Sequence, residues 1–152
     1  MNLLVFLTFN KSLKDWHNEG LLEREMKYYQ KLSSYNNLKI TFFSYGDIQD
    51  KIFLKNLKNF DVLCLFNTKR SYGSIFNFFY SIFFIFRNLK FFKKFNFVKT
   101  NQNYGSWLGV IIKIIYKKTF FISRGGYDLH HFKLLEKKFL KKIASYLICL
   151  IN

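Results

Sequence analysis

Short apolar runs alternate with helix-forming segments along the whole chain of 152 residues. The runs are rich in strand formers and have the continuous hydrophobicity of strands that are covered on both faces. They predict six strands, at residues 3–9, 39–45, 61–66, 95–100, 119–123 and 146–151, with helices at residues 20–32, 52–57, 74–87, 106–116 and 129–142. Strands separated by helices form parallel sheets with right-handed crossovers. The sequence therefore predicts an α/β fold, a Rossmann-like doubly wound parallel sheet that occupies residues 1–152 as a single domain.

The composition limits the class of protein. Half of the residues are apolar and 22% are aromatic, which excludes a disordered chain. The formal net charge is +16, from 25 Lys and Arg against 9 Asp and Glu, and a field of that sign attracts polyanions or anionic lipid surfaces. The chain is also rich in Phe, Lys, Ile and Asn and contains no Pro, a skew that an AT-rich genome also produces. The charge by itself therefore leaves both explanations open.

The amino terminus and the cysteines predict a cytoplasmic protein. Residues 1–7 have neither the basic region nor the small-residue cleavage site of a signal peptide. Cys64 and Cys149 lie in apolar runs without a CxxC spacing, which is typical of small buried side chains in a reducing compartment. The most apolar stretch, residues 75–86, is shorter than the roughly 20 residues of a membrane span, so it predicts a segment that lies on a bilayer rather than across it.

Several common cofactor motifs are missing from the sequence. There is no GxGxxG after the first strand, which argues against a dinucleotide cofactor, and no GxxxxGK[ST], which argues against a P-loop phosphotransferase. No Cys or His cluster has the spacing of a metal site. We therefore expect no metal and no cofactor.

Ligands of doubly wound sheets bind beyond the carboxyl ends of the strands. In this sequence the loops that follow the predicted strands carry polar and glycine residues, at residues 10–20, 45–47, 67–70, 99–102 and 124–128. Because parallel strands all end at the same edge, these five loops are predicted to converge there.

Two blocks follow the fourth and fifth predicted strands in order, Lys99-Thr100-Asn101-Gln102 and Arg124-Gly125-Gly126-Tyr127. With them the chain resembles, over nearly its whole length, the amino-terminal domains of GT-B glycosyltransferases of the group-one or family-four type. Weaker segments of the same resemblance are Gly20 with Arg24-Glu25 and Tyr28, Phe43-Ser44-Tyr45-Gly46, Gly105-Ser106, Lys117-Lys118 and Ala144-Ser145-Tyr146-Leu147-Ile148.

The resemblance implies an enzyme that transfers a hexosyl group from a nucleotide sugar to a surface glycan or a lipid-linked acceptor. In such enzymes this half contacts the acceptor, and a second, carboxyl-terminal half binds the nucleotide sugar. The residues of that second half have no counterpart here, so the resemblance implies a truncated chain that is inactive without a donor-binding domain, which is either missing or a separate partner in a split enzyme. The residues implied in acceptor or substrate binding are Gly20, Asn101, Gln102, Arg124, Gly125 and Tyr127.

Each of these residues also has a structural alternative. Asn101 and Gln102 can hydrogen-bond to sugar hydroxyls or to loop backbone groups. Arg124 suits a phosphate of donor or acceptor, and alternatively an ion pair with Asp128 or Glu136. Gly125-Gly126 can let the backbone approach a ligand closely, or can simply form a turn. Tyr127 can stack on a sugar ring, or can pack in the core.

Two further features also allow either a functional or a structural interpretation. His17 can contact the acceptor or move a proton, or be merely solvated. The basic and aromatic run at residues 87–95 can anchor the chain to anionic lipid, or be a solvated connection whose phenylalanines pack inward. The competing function is a non-catalytic basic domain that binds an anionic membrane or nucleic acid, although no nucleic-acid-binding motif is present and no nucleic acid is expected.

Overall fold

The computed structural model describes residues 1–68 and 73–123. Its centre is a sheet of five parallel strands in the order β3-β2-β1-β4-β5. The strands are β1 (Asn2–Phe6), β2 (Lys39–Ser44), β3 (Phe60–Cys64), β4 (Phe97–Thr100) and β5 (Phe120–Ile122). The predicted α/β fold with a parallel sheet is confirmed, and the strand order is compatible with a Rossmann-like domain. The predicted strand at 146–151 and the predicted helix at 129–142 lie outside the described residues.

The helices connect successive strands. They are α1 (Leu13–Asn18), α2 (Leu22–Asn36), a 3₁₀ helix (Ile48–Leu54), α3 (Ser74–Arg87), α4 (Leu89–Phe92) and α5 (Trp107–Ile115). The prediction was right for α3 and nearly so for α2 and α5. It was wrong at residues 52–57, where the segment is a 3₁₀ helix that starts four residues earlier, and at residues 10–20, where the predicted loop contains α1.

The core has two layers, one on each face of the sheet, because successive strand side chains point to opposite faces. On one face, Leu4 and Phe6 of β1 pack in a cluster with Ile85 of α3 and Ile112 of α5. On the other face, a second cluster consists of Leu3, Val5, Leu7, Ile40, Phe42 and Val62 with Leu13, Trp16, Met26, Tyr29, Leu38 and Leu54. Helices therefore cover both faces of the sheet, which explains why the strands read as continuous apolar runs.

The start of α1 is held by three side chains. Ser12 and Asp15 form a reciprocal capping box, in which the Ser12 hydroxyl accepts from the Asp15 amide and the Asp15 carboxylate accepts from the Ser12 amide. Asp50, only 2% exposed, accepts from the backbone amides of Leu13 and Lys14 at 3.1 Å each and from the Ser44 hydroxyl. Three of the amides at the start of this short helix are thereby satisfied, so α1 forms in a segment with little helical periodicity.

The basic run at residues 87–95 contains α4. Phe92 and Phe95 are buried in the core, while Lys93 and Lys94 are exposed and the Lys94 ammonium lies 3.7 Å from the centre of the Phe91 ring. The inward packing of these phenylalanines agrees with the structural alternative for this run. None of the helices in residues 1–68 and 73–123 has the length and hydropathy of a membrane span.

Asp50→Asn tests the cap on α1. The side-chain amide of asparagine accepts hydrogen bonds through one oxygen only, and its NH₂ group would face a backbone N–H, which is also a donor. We therefore expect the free energy of unfolding to fall by about 2 kcal/mol. Chemical denaturation followed by circular dichroism measures it. The matched control is Asp61→Asn at an exposed carboxylate of β3, which should change stability by less than about 0.5 kcal/mol. Equal effects of the two substitutions would contradict the role given to Asp50.

The pH dependence of stability gives a second test of Asp50. Burial raises the pKa of this carboxyl, and hydrogen bonds from Ser44, Leu13 and Lys14 oppose the rise only in part. The folded protein therefore holds this proton more tightly than the unfolded chain. The corresponding stability is fully present below the unfolded pKa of 3.8 and is lost as the pH rises through the higher folded pKa. The stability difference between wild type and Asp50→Asn should accordingly shrink from pH 3.5 to pH 7, and a difference that grows would contradict the raised pKa.

Candidate functional site

The loops at the carboxyl edge of the sheet are joined to each other by backbone hydrogen bonds. The Tyr45 amide donates to the carbonyl of Lys11, in the loop after β1, at 3.1 Å. In the same loop, the Phe9 amide donates to the Tyr104 carbonyl at 2.9 Å. The Phe66 amide donates to the Gly46 carbonyl at 3.2 Å. The ends of β1, β2, β3 and β4 therefore form one continuous rim, as the sequence predicts.

Asn101 and Gln102 lie on this rim between β4 and β1. The Asn101 amide donates to the Phe6 carbonyl at 2.9 Å, and its side chain is 8% exposed with an Oδ1 that has no hydrogen-bond partner within the described residues. Gln102 is exposed, and its Oε1 accepts from the Thr8 hydroxyl at 2.8 Å. The chain order reverses between these two neighbouring strands, which is where doubly wound sheets bind ligands.

The end of β5 joins the same rim. The Ser123 hydroxyl donates to Oδ1 of Asn103 at 3.0 Å and lies 3.4 Å from the Thr100 hydroxyl. Ser123 directly precedes the predicted site residue Arg124. Arg124 itself, with Gly125 and Tyr127, lies outside the described residues.

An aromatic cluster forms around Phe9 at this rim. The Phe9 ring centre lies 5.1 Å from that of Tyr45, 5.3 Å from that of Tyr104 and 5.0 Å from that of Trp107. Burial raises the pKa of the Tyr45 phenol, so this side chain is a neutral hydrogen-bond donor. The sequence did not reveal this cluster, because aromatics from three loops and from the start of α5 meet only when the sheet is formed.

Two further buried polar atoms lie near the amino ends of helices that follow the rim. They are Oδ1 of Asn77 in α3 and Nε1 of Trp107 in α5, and neither has a hydrogen-bond partner among the residues described. Nδ2 of Asn77 does donate to Asn10 at 2.7 Å. Buried polar atoms without a protein partner are usually satisfied by water or by a ligand. Asn77 was visible in the sequence as an interruption of an apolar helix.

A cleft of about 290 Å³ opens between α1 and the ends of β2 and β3. Its walls are the carboxylates of Asp15, Asp47 and Asp50, with other polar and aromatic groups from Ser12, Lys14, Asn18, Tyr45, Gly46, Phe66 and Thr68. Carboxylates and hydroxyls accept hydrogen bonds from hydroxyl groups and repel anions. The cleft therefore offers hydrogen-bond acceptors to a neutral polyol, with one cation, Lys14, in its wall.

The carboxylates of this cleft were only partly predicted. Asp47 follows a predicted strand, whereas Asp15 and Asp50 were missed. The spacing of Ser12 and Asp15 was the signal for a capping box, and it predicts the start of a helix at residues 12–15. No comparable local signal existed for Asp50, whose partners lie 6, 36 and 37 residues away in sequence.

Gly20 and His17 lie on the far side of α1 from its capped start. Gly20 has a φ of +68° and donates to the His17 carbonyl at 3.0 Å, so it forms the turn that ends α1. The His17 ring packs on Phe53, with 5.2 Å between ring centres. The structure thus gives both residues a structural role and brings neither to Asn101.

Two candidate chemistries receive no support from geometry. Within residues 1–68 and 73–123, no group of three or more His, Cys, Asp or Glu side chains is arranged to hold a metal ion. Cys64 is half-buried, and burial raises the pKa of its thiol to about 12, so it is not a nucleophile at neutral pH.

Gly105→Ala tests the junction between the loops after β1 and β4. Gly105 has a φ of +113°, and an added Cβ would lie 3.3 Å from the Phe9 amide nitrogen. We expect a loss of about 1–3 kcal/mol in unfolding free energy, measured by denaturation. Gly73→Ala is the matched control, because a Cβ there meets no atom within 4 Å and its φ is −63°. The junction is not strained if both variants are equally stable.

This edge of the sheet combines a continuous rim of loops, a cleft lined by three carboxylates and, among the described residues, two buried amide oxygens without a hydrogen-bond partner. Comparisons of the chain with protein-family models, with curated proteins and with solved structures found no match. The function must therefore be argued from the rim itself and from the resemblance carried by its loops.

Proposed function

We propose that this chain is the acceptor-side half of a GT-B glycosyltransferase that transfers a hexosyl group to a glycan or lipid-linked acceptor. The observation that carries the proposal is the position of Asn101 and Gln102 at the point where the strand order reverses, beside the loop after β1. These are the residues of the most specific block in the resemblance. A buried amide oxygen without a partner at that point is suited to a sugar hydroxyl.

The cleft lined by Asp15, Asp47 and Asp50 supports an acceptor with hydroxyl groups. The carboxylates of Asp15 and Asp47 are half-buried and can accept hydrogen bonds from the hydroxyls of a sugar ring, whereas Asp50 is buried and already accepts from Leu13, Lys14 and Ser44. The Tyr45 phenol and the Phe66 ring add apolar surface for the carbon face of the ring. The same carboxylates oppose a nucleic acid at this edge, because they would face its phosphates.

The nucleotide sugar is assigned in this proposal mainly to a second Rossmann-like domain outside these 152 residues. Arg124, one residue beyond Ser123, would direct its guanidinium to a phosphate of the donor or acceptor. The roles of Arg124, Gly125 and Tyr127 remain predictions. In this scheme the chain has no resident cofactor, since the activated sugar is a substrate.

Acceptor binding is the direct test. The purified chain should bind one or more members of a panel of neutral mono- and disaccharides, measured by saturation-transfer NMR and titration. Gln102→Ala should weaken that binding about tenfold, because it removes one side chain that hydrogen-bonds a ligand hydroxyl. Asn101→Ala should do the same, provided that its thermal unfolding shows an intact fold.

The matched control is Gln30→Ala, which removes the same side chain from an exposed position on α2. It should leave sugar binding unchanged. Co-expression with candidate donor-domain proteins, followed by assay of hexose transfer from nucleotide sugars, extends the test to activity. Absence of sugar binding together with absence of transfer with every candidate would reject the proposed function.

A further inference from the structure

Helix α3 is apolar on its exposed side as well as on the side that covers the sheet. Its buried residues are Asn77, Ser81 and Ile85, two of which are polar, and Phe78, Ile82 and Phe84 are half-buried against the core. Its exposed side is apolar, with Ile75 78%, Phe76 45%, Phe79 64%, Phe83 56% and Phe86 53% exposed. A helix that only covers a sheet carries polar residues on its exposed side.

These five exposed side chains, named here the α3 stripe, form one continuous surface. At about 100° per residue they fall within an arc of about 100°, and the 14 residues of α3 extend about 20 Å. Single exposed apolar residues are common on proteins, but a contiguous stripe of four phenylalanines and an isoleucine marks an interaction surface.

The segment of chain that contains the stripe carries only positive charges. Residues 62–123 contain ten Lys or Arg and no Asp or Glu. At the carboxyl end of α3, Arg87, Lys90, Lys93 and Lys94 are all exposed. The Tyr116 hydroxyl donates to the Leu89 carbonyl at 2.7 Å, which brings the exposed Lys117-Lys118 turn next to α4. A cluster of six cations therefore lies at one end of the α3 stripe.

We propose that the α3 stripe and its cation cluster dock this chain onto an anionic lipid bilayer. The stripe supplies apolar side chains for the boundary between headgroups and acyl chains, and the lysines lie where the lipid phosphates are. With 14 residues, α3 is too short to cross the bilayer and lies in its surface. A nucleic acid would match the cations but would leave the apolar stripe without a partner.

Docking would also set the position of the rim. At the amino end of α3, Asn10 donates to the Ser74 hydroxyl at 2.8 Å and accepts from Asn77 at 2.7 Å, so the loop after β1 adjoins that end of the stripe. The carboxyl edge of the sheet then lies next to the membrane surface. Docking depends on the α3 stripe and the cation cluster, and it does not require sugar transfer.

Vesicle sedimentation of the purified 152-residue chain tests the proposal. We expect binding to vesicles of phosphatidylcholine with 30 mol% phosphatidylglycerol, little binding to phosphatidylcholine alone, and weaker binding at 0.5 M than at 0.1 M NaCl. Phe79→Ser with Phe83→Ser should lower the affinity for the anionic vesicles at least about tenfold, since it removes two large apolar contacts. Lys90→Ser with Lys93→Ser should lower it and also weaken its salt dependence.

Matched controls separate docking from a general loss of apolar or basic residues. Ile48→Ser with Ile52→Ser removes two exposed apolar side chains of the 3₁₀ helix, and Lys27→Ser with Lys31→Ser removes two exposed cations of α2. Both controls should bind vesicles nearly as well as wild type. The proposal is overturned if wild type does not bind anionic vesicles, if it binds single-stranded DNA but not vesicles, or if the stripe variant binds as well as its control. Self-association that the stripe variant abolishes, without vesicle binding, would assign the stripe to a second copy and also overturn it.

Discussion

The junction between β1 and β4 is the contact on which the rest of the rim depends. β1 is the central strand. At its carboxyl end, the Asn101 amide donates to the Phe6 carbonyl on one side, and the Leu7 amide donates to the Phe43 carbonyl on the other. Gly105 has a φ of +113°, and a Cβ there would lie 3.3 Å from the Phe9 amide nitrogen, closer than most such contacts. The same contact brings Tyr104 and Trp107 against Phe9.

A second constraint is the buried carboxylate of Asp50. It fixes α1 against the end of β2 through Leu13, Lys14 and Ser44, and it requires glycine at position 46, where a Cβ would lie 2.5 Å from Oδ2 of Asp50. The same carboxylate forms one wall of the cleft. Capping of α1 and the acidic character of the cleft therefore have a common cause, and a substitution at Asp50 affects both.

The parallel sheet was predictable because strands buried on both faces need continuous apolar runs, and those runs are visible in the sequence. Asn101, Gln102 and Asp47 were predicted to lie at the rim because they follow the ends of those apolar runs. Helix α1 was missed because its stability comes from Asp50 and a capping box rather than from apolar periodicity. The exposed apolar side of α3 was equally hidden: a nearly uniform apolar segment does not reveal which of its sides the sheet covers.

The distribution of charge along the chain argues against codon bias as its sole explanation. Residues 1–61 contain seven acidic and nine basic residues, whereas residues 62–123 contain ten basic residues and no acidic ones. A compositional bias acting on the whole gene would not separate the acids in this way. In the structure the first part supplies the acidic cleft beside α1, and the second part supplies the α3 stripe with its cations. The loop after β1 thus meets the amino end of α3, where Asn10 donates to the Ser74 hydroxyl.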